Sequence, residues 1–187
     1  IYQMSFPGCP PIAGVYRINR TYAKSCYSHN LRVQEHLITT TDFDYVALAA
    51  NWANYTLGDN LADDISKEIS IDNSKRAFYS NLRKQLELFS KKGLKVIYLN
   101  SVPNFRHNAS ACQLKHFVFG YPEEKLCERS LIEIKHDRLI YDKFIRDEVL
   151  SLENIYVLDF MDFFCQDDIC KTFVDGGMMY RNQSHLS

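Results

Sequence analysis

The sequence predicts an α/β fold, a parallel sheet covered by helices. Three segments, the unbroken apolar run Tyr45–Ala50 and the largely apolar Leu94–Leu99 and Asn154–Asp159, have the length and composition of buried strands. Two segments with apolar residues at helical spacing separate them, and strand–helix–strand–helix–strand is the order from which parallel sheets are built. Crossovers in such sheets are nearly always right-handed.

Taken in order, Ile1–Phe6 reads as a short strand, broken at once by Pro7-Gly8-Cys9-Pro10-Pro11. A polar helix follows over about Tyr22–Thr40, carrying Leu31, His36 and Leu37. Tyr45–Ala50 is a strand expected to be buried on both faces, and Asn51–Ile71 reads as a loop. Over Ser74–Lys92 the residues Phe78, Leu82, Leu86 and Phe89 share a helical face, with Gly93 as its stop. Leu94–Leu99 is the second buried strand. Asn100–Arg129 is irregular, with Pro103, Pro122 and two cysteines. An amphipathic helix over about Ser130–Ser151 gathers Leu131, Ile134, Leu139, Phe144 and Val149. Asn154–Asp159 is the third strand.

The chain has 187 residues, the size of one domain with a proper core. A net charge of -1 argues against a nucleic-acid surface, and no apolar run approaches the roughly 20 residues a membrane helix needs. With no initiator methionine and no signal peptide, the sequence is expected to be a piece of a larger protein. Twelve Tyr and twelve Phe suit a dense core, or a surface that meets carbohydrate.

None of the six cysteines forms a Cys-x-x-Cys pair, so zinc and redox signatures are missing, and no metal or cofactor is expected. Sequence order suggests the local bridges Cys9–Cys26, Cys112–Cys127 and Cys165–Cys170 of an oxidising compartment. Six cysteines allow 15 pairings, and six reduced thiols in a cytosolic protein are the alternative. Sequons at Asn19, Asn54, Asn108 and Asn182 add little.

In open parallel sheets the active site lies beyond the carboxyl ends of the strands. Gly8, Asn51-Trp52 and Asn100–Phe105 each follow a strand, and the segment Asp175–Ser187 with His185 follows the last one. Each also has a plain reading: a turn glycine, a strand-ending asparagine, a solvated histidine.

Taken together, the features resemble a known family. The spacing Tyr180-x-Asn182-x-x-His185 is similar to the last catalytic block of SGNH esterases and acyl transferases. Cys9-Pro10-Pro11 with a second cysteine, an apolar strand ending in Trp52, and Cys165-x-x-x-x-Cys170 before Asp-Gly, Tyr and His185-Leu186-Ser187 complete the set. This ordered set resembles the SGNH domains fused to acyltransferase 3 membrane proteins of bacteria, over nearly the whole chain.

The resemblance implies a flavodoxin-like three-layer fold forming one domain over 1–187, lacking the family's first strand and helix. It implies an extracytoplasmic O-acyltransferase, tethered to the inner membrane and facing the periplasm or cell exterior. Its partners would be an acyl donor, a glycan acceptor and a membrane acyltransferase domain in the same polypeptide. Carried over by position, His185 is the general base, Asn182 stands where the base is oriented, Gly8 and Asn51 are oxyanion-hole donors, and Trp52 contacts substrate. A serine needs such a base to lose its proton, a carboxylate to fix and stabilise the imidazole, and donors preset at about 3 Å for the oxyanion.

Two departures stand out. Asn182 replaces the family's orienting Asp, and an amide can hold the imidazole in the wrong tautomer. No Gly-Asp-Ser block is present; in the family it lies just before the region where this sequence starts, which makes Ile1 the start of the second family strand. Ser5 and Ser187 do not sit in the strand–turn–helix elbow a nucleophile requires. A degenerate relative that binds glycan or a partner, and a free-standing secreted esterase, are the competing readings.

Overall fold

The computed structural model describes residues 1–18, 21–40, 42–56, 60–64, 70–105, 108–120, 127–174 and 177–180. They fall into two compact units, one of 1–99 with 141–158 and one of 100–140 with 159–187.

The first unit contains, in chain order, β1 (Tyr16–Arg17), α1 (Ala23–Thr39), β2 (Tyr45–Ala49), α2 (Trp52–Thr56), β3 (Leu61–Ala62), α3 (Ile71–Lys91) and β4 (Lys95–Leu99). The second contributes α4 (Ala109–Phe119), β5 (Glu128–Ser130) and the start of α5 (Leu131–Phe144). The chain then returns to the first unit through the end of α5, a π-helical turn (Ile145–Val149) and β6 (Ile155–Leu158). It closes in the second with α6 (Met161–Phe164), β7 (Cys165–Gln166), β8 (Ile169–Lys171), β9 (Phe173–Val174) and β10 (Gly177–Met178).

In the first unit, β2, β4 and β6 form a parallel sheet in that order, with Val46 beside Val96 and Val96 beside Ile155. The fold is α/β, as the three apolar segments predict. The Ser70 side chain accepts a hydrogen bond from the Asn73 N–H at 3.2 Å and caps the start of α3. Gly93, at φ +77°, ends it in the left-handed conformation only glycine adopts freely. Phe78, Leu82, Leu86 and Phe89 of α3 pack on Val46, Leu48, Val96 and Tyr98 of the sheet, joined by Leu37 from α1 and by Tyr141, Phe144, Ile145 and Val149.

The strands differ from expectation in one respect. They are not buried on both faces. Val46, Leu48, Val96, Tyr98 and Ile155 point into the core, whereas Tyr45, Ala47, Ala49, Tyr156 and Leu158 are exposed. Helices cover one side of this sheet, so burial alternates with the pleat. Ile1–Phe6, expected as a strand, forms no ladder with the described residues.

Other departures come from local helices. Asn51–Ile71 contains α2 and β3, and 100–129 contains α4, apolar stretches without the periodicity that marks a long helix. Leu139 lies 60% exposed, away from the buried Ile134, Phe144 and Val149.

In the second unit, β5, β8 and β7 form an antiparallel sheet and β9 pairs with β10. Phe105, Ala109, Ile134, Phe164, Cys170 and Tyr180 make its core. Three disulfides staple the chain locally: Cys9–Cys26 at a Cα separation of 5.8 Å, Cys112–Cys127 at 5.5 Å and Cys165–Cys170 at 3.9 Å.

Candidate active site

Gly8 sits at φ +75° in a turn that the Cys9 N–H closes on the Phe6 carbonyl at 3.1 Å. A Cβ here would press on the Tyr22 hydroxyl, and the positive φ strains any residue but glycine. The Gly8 N–H is exposed and has no hydrogen-bond partner among the described residues.

The loop behind this turn is held by two buried amides. Asn30 of α1 donates through Nδ2 to the Pro10 carbonyl (2.7 Å) and the Ile12 carbonyl (3.1 Å). Gln85 of α3 accepts from the Ala13 N–H at 2.7 Å and donates to the Pro11 carbonyl at 2.9 Å. Proline carries no N–H, so Pro10 and Pro11 offer only carbonyls; that of Pro10 accepts from the Ile12 N–H at 2.8 Å as well as from Asn30, and that of Pro11 accepts from Gln85. Cys9–Cys26 adds a covalent tie to α1.

Asn51 follows β2 and precedes α2. Its carbonyl accepts from the Asn54 N–H at 3.2 Å, and its half-buried carboxamide has no partner among the described residues. Trp52 has a different role from the one expected of it. Its side chain is 0% exposed, and its Nε1 donates to the Leu99 carbonyl at 2.7 Å. A ring wholly enclosed by protein cannot touch a sugar, so Trp52 is a core residue and not a substrate contact.

In the second unit, the residues that follow β4 and β6 in the chain form a polar network. Asn100 donates through Nδ2 to Asp159 Oδ2 at 2.6 Å and accepts from the Ser101 N–H at 2.8 Å. Arg138 donates to Asp159 Oδ2 and to the Ser101 carbonyl, both at 3.0 Å, while the Met161 N–H donates to Asp159 Oδ1 at 3.0 Å. The Arg138 side chain is 4% exposed and that of Asp159 43%. Sequence reasoning missed this arrangement. The available signal was Arg138 at a helical position within the stripe Ile134, Tyr141 and Ile145, where an apolar residue belongs.

Asn182 and His185 lie outside the described residues. The segment that carries them leaves from Tyr180, whose ring is 0% exposed and meets Phe105 (centroids 4.9 Å apart) and Phe164 (5.3 Å) edge-on. Its hydroxyl has no hydrogen-bond partner among the described residues, and burial pushes its pKa well above the usual phenol value.

Among the described residues, no helix is long and apolar enough to cross a membrane. No curated protein matches the chain. A solved structure, the lipopolysaccharide acetyltransferase periplasmic domain of Salmonella ser. Paratyphi A, matches with a TM-score of 0.60 at 14% identity. The match covers 96% of this chain and 63% of that one, so this chain spans less than two thirds of its length. At this identity the likeness is one of fold. The family model of the SGNH domain fused to AT3 domains matches residues 1–187, and the chain belongs to that family.

Proposed function

We propose that residues 1–187 are part of an extracytoplasmic O-acyltransferase domain that places an acyl group, acetyl foremost, on a cell-surface glycan. The observation that carries this reading is the match, end to end, with a family defined by fusion to AT3 domains. The membrane portion of the same polypeptide delivers the acyl group and this domain transfers it. The three disulfides fit a placement outside the cytoplasm.

In this mechanism His185 takes the proton from a serine hydroxyl, supplied by a segment outside residues 1–187. The alkoxide attacks the acyl carbonyl, and the Gly8 N–H and Asn51 amide stabilise the tetrahedral oxyanion. Collapse expels the donor's leaving group, which takes the proton from His185, and leaves an acyl-serine. His185 then removes the proton from a sugar hydroxyl, which attacks the acyl carbon, and passes it to the serine oxygen as that oxygen departs. Both proposed oxyanion donors lacking another partner supports this assignment.

Incubating the parent polypeptide with an aryl acetate, beside a His185→Ala control, tests the reading. Loss of turnover in the control is expected; equal turnover in both would sink it.

Asn182, in place of the orienting carboxylate, favours a second reading, a non-catalytic domain that binds glycan or a partner. A fluorophosphonate adduct on a serine of the parent polypeptide would rule that reading out.

A further inference from the structure

Arg17 lies half-buried on β1, with Leu61 of β3 opposite it. Its Nη1 donates to Asn60 Oδ1 at 2.6 Å, and its guanidinium carbon stands 5.0 Å from the centre of the Tyr55 ring. Its Nε is enclosed and finds no hydrogen-bond partner among the described residues. Arg83, Arg129 and Arg138 each meet a carboxylate. Among the described residues, no carboxylate lies within ion-pair distance of Arg17. Asp63 and Asp64 follow β3 on the Tyr16 side of the antiparallel ladder, away from it.

A cation drawn partly out of water costs free energy unless an anion or several hydrogen bonds answer it. An amide oxygen and a π face answer Arg17 only in part. The guanidinium is a planar fork of donors that matches the paired oxygens of a carboxylate or phosphate. A structural tie between β1 and Tyr55 would explain the ring contact and leave the charge without a purpose.

This charge adjoins the candidate site. Tyr55 is on α2, four positions after Asn51. Burial raises the Tyr55 pKa, Arg17 draws it down and Tyr22 raises it further, so both neighbours act on its hydroxyl. The Tyr22 hydroxyl in turn lies against Gly8. Gly8, Tyr22, Tyr55 and Arg17 therefore follow one another within the first unit.

We propose that Arg17 binds an anionic group, carboxylate or phosphate, of the acceptor glycan, which makes the acceptor an acidic sugar. The seat rests on Arg17 and its surroundings; that its ligand is the acceptor rests on the proposed function. Anchored there, the acidic sugar is held beside the turn that carries Gly8.

The test uses the full parent polypeptide in detergent micelles and saturation-transfer NMR with three probes, methyl glucuronide, glucosyl phosphate and neutral methyl glucoside. At least one of the two anions is expected to bind, and the neutral glycoside to bind about tenfold more weakly or not at all. The anion with the stronger signal identifies the group that Arg17 reads. Arg17→Gln should weaken its binding about tenfold. Asn60→Asp, which sets a carboxylate beside the guanidinium, should do the same and also raise the resistance to denaturant, since the charge then has a partner of its own. Anion binding unchanged in both variants, no binding of either anion, or equal binding of the neutral glycoside overturns the proposal. Acetyl transfer from an aryl acetate, followed in the same sample, keeps the two ideas apart. An anion bound through Arg17 but never acetylated defeats the chemistry and leaves the seat; acetylation of the neutral glycoside alone defeats the seat and leaves the chemistry.

Discussion

The indole of Trp52 lies almost flat on the ring of Tyr98, with centroids 4.6 Å apart and planes 20° from parallel. Phe78 meets the same indole edge-on at 6.3 Å. The strand ending that carries Asn51 is therefore fixed by the residue after it, through ring packing and the bond to the Leu99 carbonyl. Truncation by Trp52→Ala is expected to cost about 3–5 kcal/mol, the range for emptying a large aromatic site. Trp52→Phe should cost less, mainly the stranded Leu99 acceptor at about 1–3 kcal/mol. Chemical denaturation measures both. Equal, small losses would show that the indole is not enclosed.

Asp159 and Arg138 are unequal partners. Asp159→Ala removes the carboxylate that accepts from both Arg138 and Asn100, and a loss of about 3 kcal/mol is expected. The partial exposure of Asp159 places this near the lower end for a buried pair. Replacing both residues, Arg138→Met with Asp159→Ala, should restore much of it. A double variant as unstable as the sum of the singles would mean the ion pair is incidental.

Tyr79 gives the stability an alkaline limit. Burial pushes its pKa up to about 12 from an ordinary 10. Its folded value exceeds its unfolded one, so its contribution is complete below pH 10 and fades as the pH climbs to 12. Allowing for partial exposure, the fade is on the order of 1–2 kcal/mol. Tyr79→Phe should flatten that part of the stability–pH curve. An unchanged slope would place the titration elsewhere.

The Cys9–Cys26 bridge spans 17 residues, and losing it through Cys9→Ser with Cys26→Ser is expected to destabilise by about 3 kcal/mol. Intact mass without reductant should be lighter than the all-thiol form by six hydrogens, two for each bridge. Six alkylatable cysteines in native protein would remove the case for an oxidising compartment.

Asn182→Asp tests the proposed base. If His185 acts as assigned, an orienting carboxylate should raise turnover of the parent polypeptide substantially; the reverse change in a serine protease costs ~10⁴. Unaltered turnover would show that another group orients the imidazole, or that position 182 has no such role.

Strands β2, β4 and β6 were legible because short apolar segments bounded by polar residues have few other uses, and α3 because four large side chains recur on one face. The faces of the sheet were not legible. An alanine-rich strand such as β2 looks equally apolar whether one side or two are covered, and only the surrounding layers decide. Helices α2 and α4 were hidden for another reason: one is a single turn, and the other is apolar nearly all round. At the candidate site, Asn51 follows strand β2 as its place in the sequence implies, whereas the segment before Gly8, Ile1–Phe6, is not a strand. Trp52 was misjudged because an aromatic near a suspected cleft looks the same in sequence whether it faces sugar or core. Arg138 was passed over as an ordinary charged helix residue, its partner Asp159 lying 21 positions away.

Asn30 and Gln85 between them grip the main chain at four successive residues, from Pro10 to Ala13. Main-chain groups gripped this way are indifferent to the side chains they carry but not to their count. Residues inserted on the far side of β1 can bulge into solvent, whereas one added between Pro10 and Ala13 would shift every later acceptor out of reach of its amide. Relatives should therefore vary hardly at all in how long this stretch is.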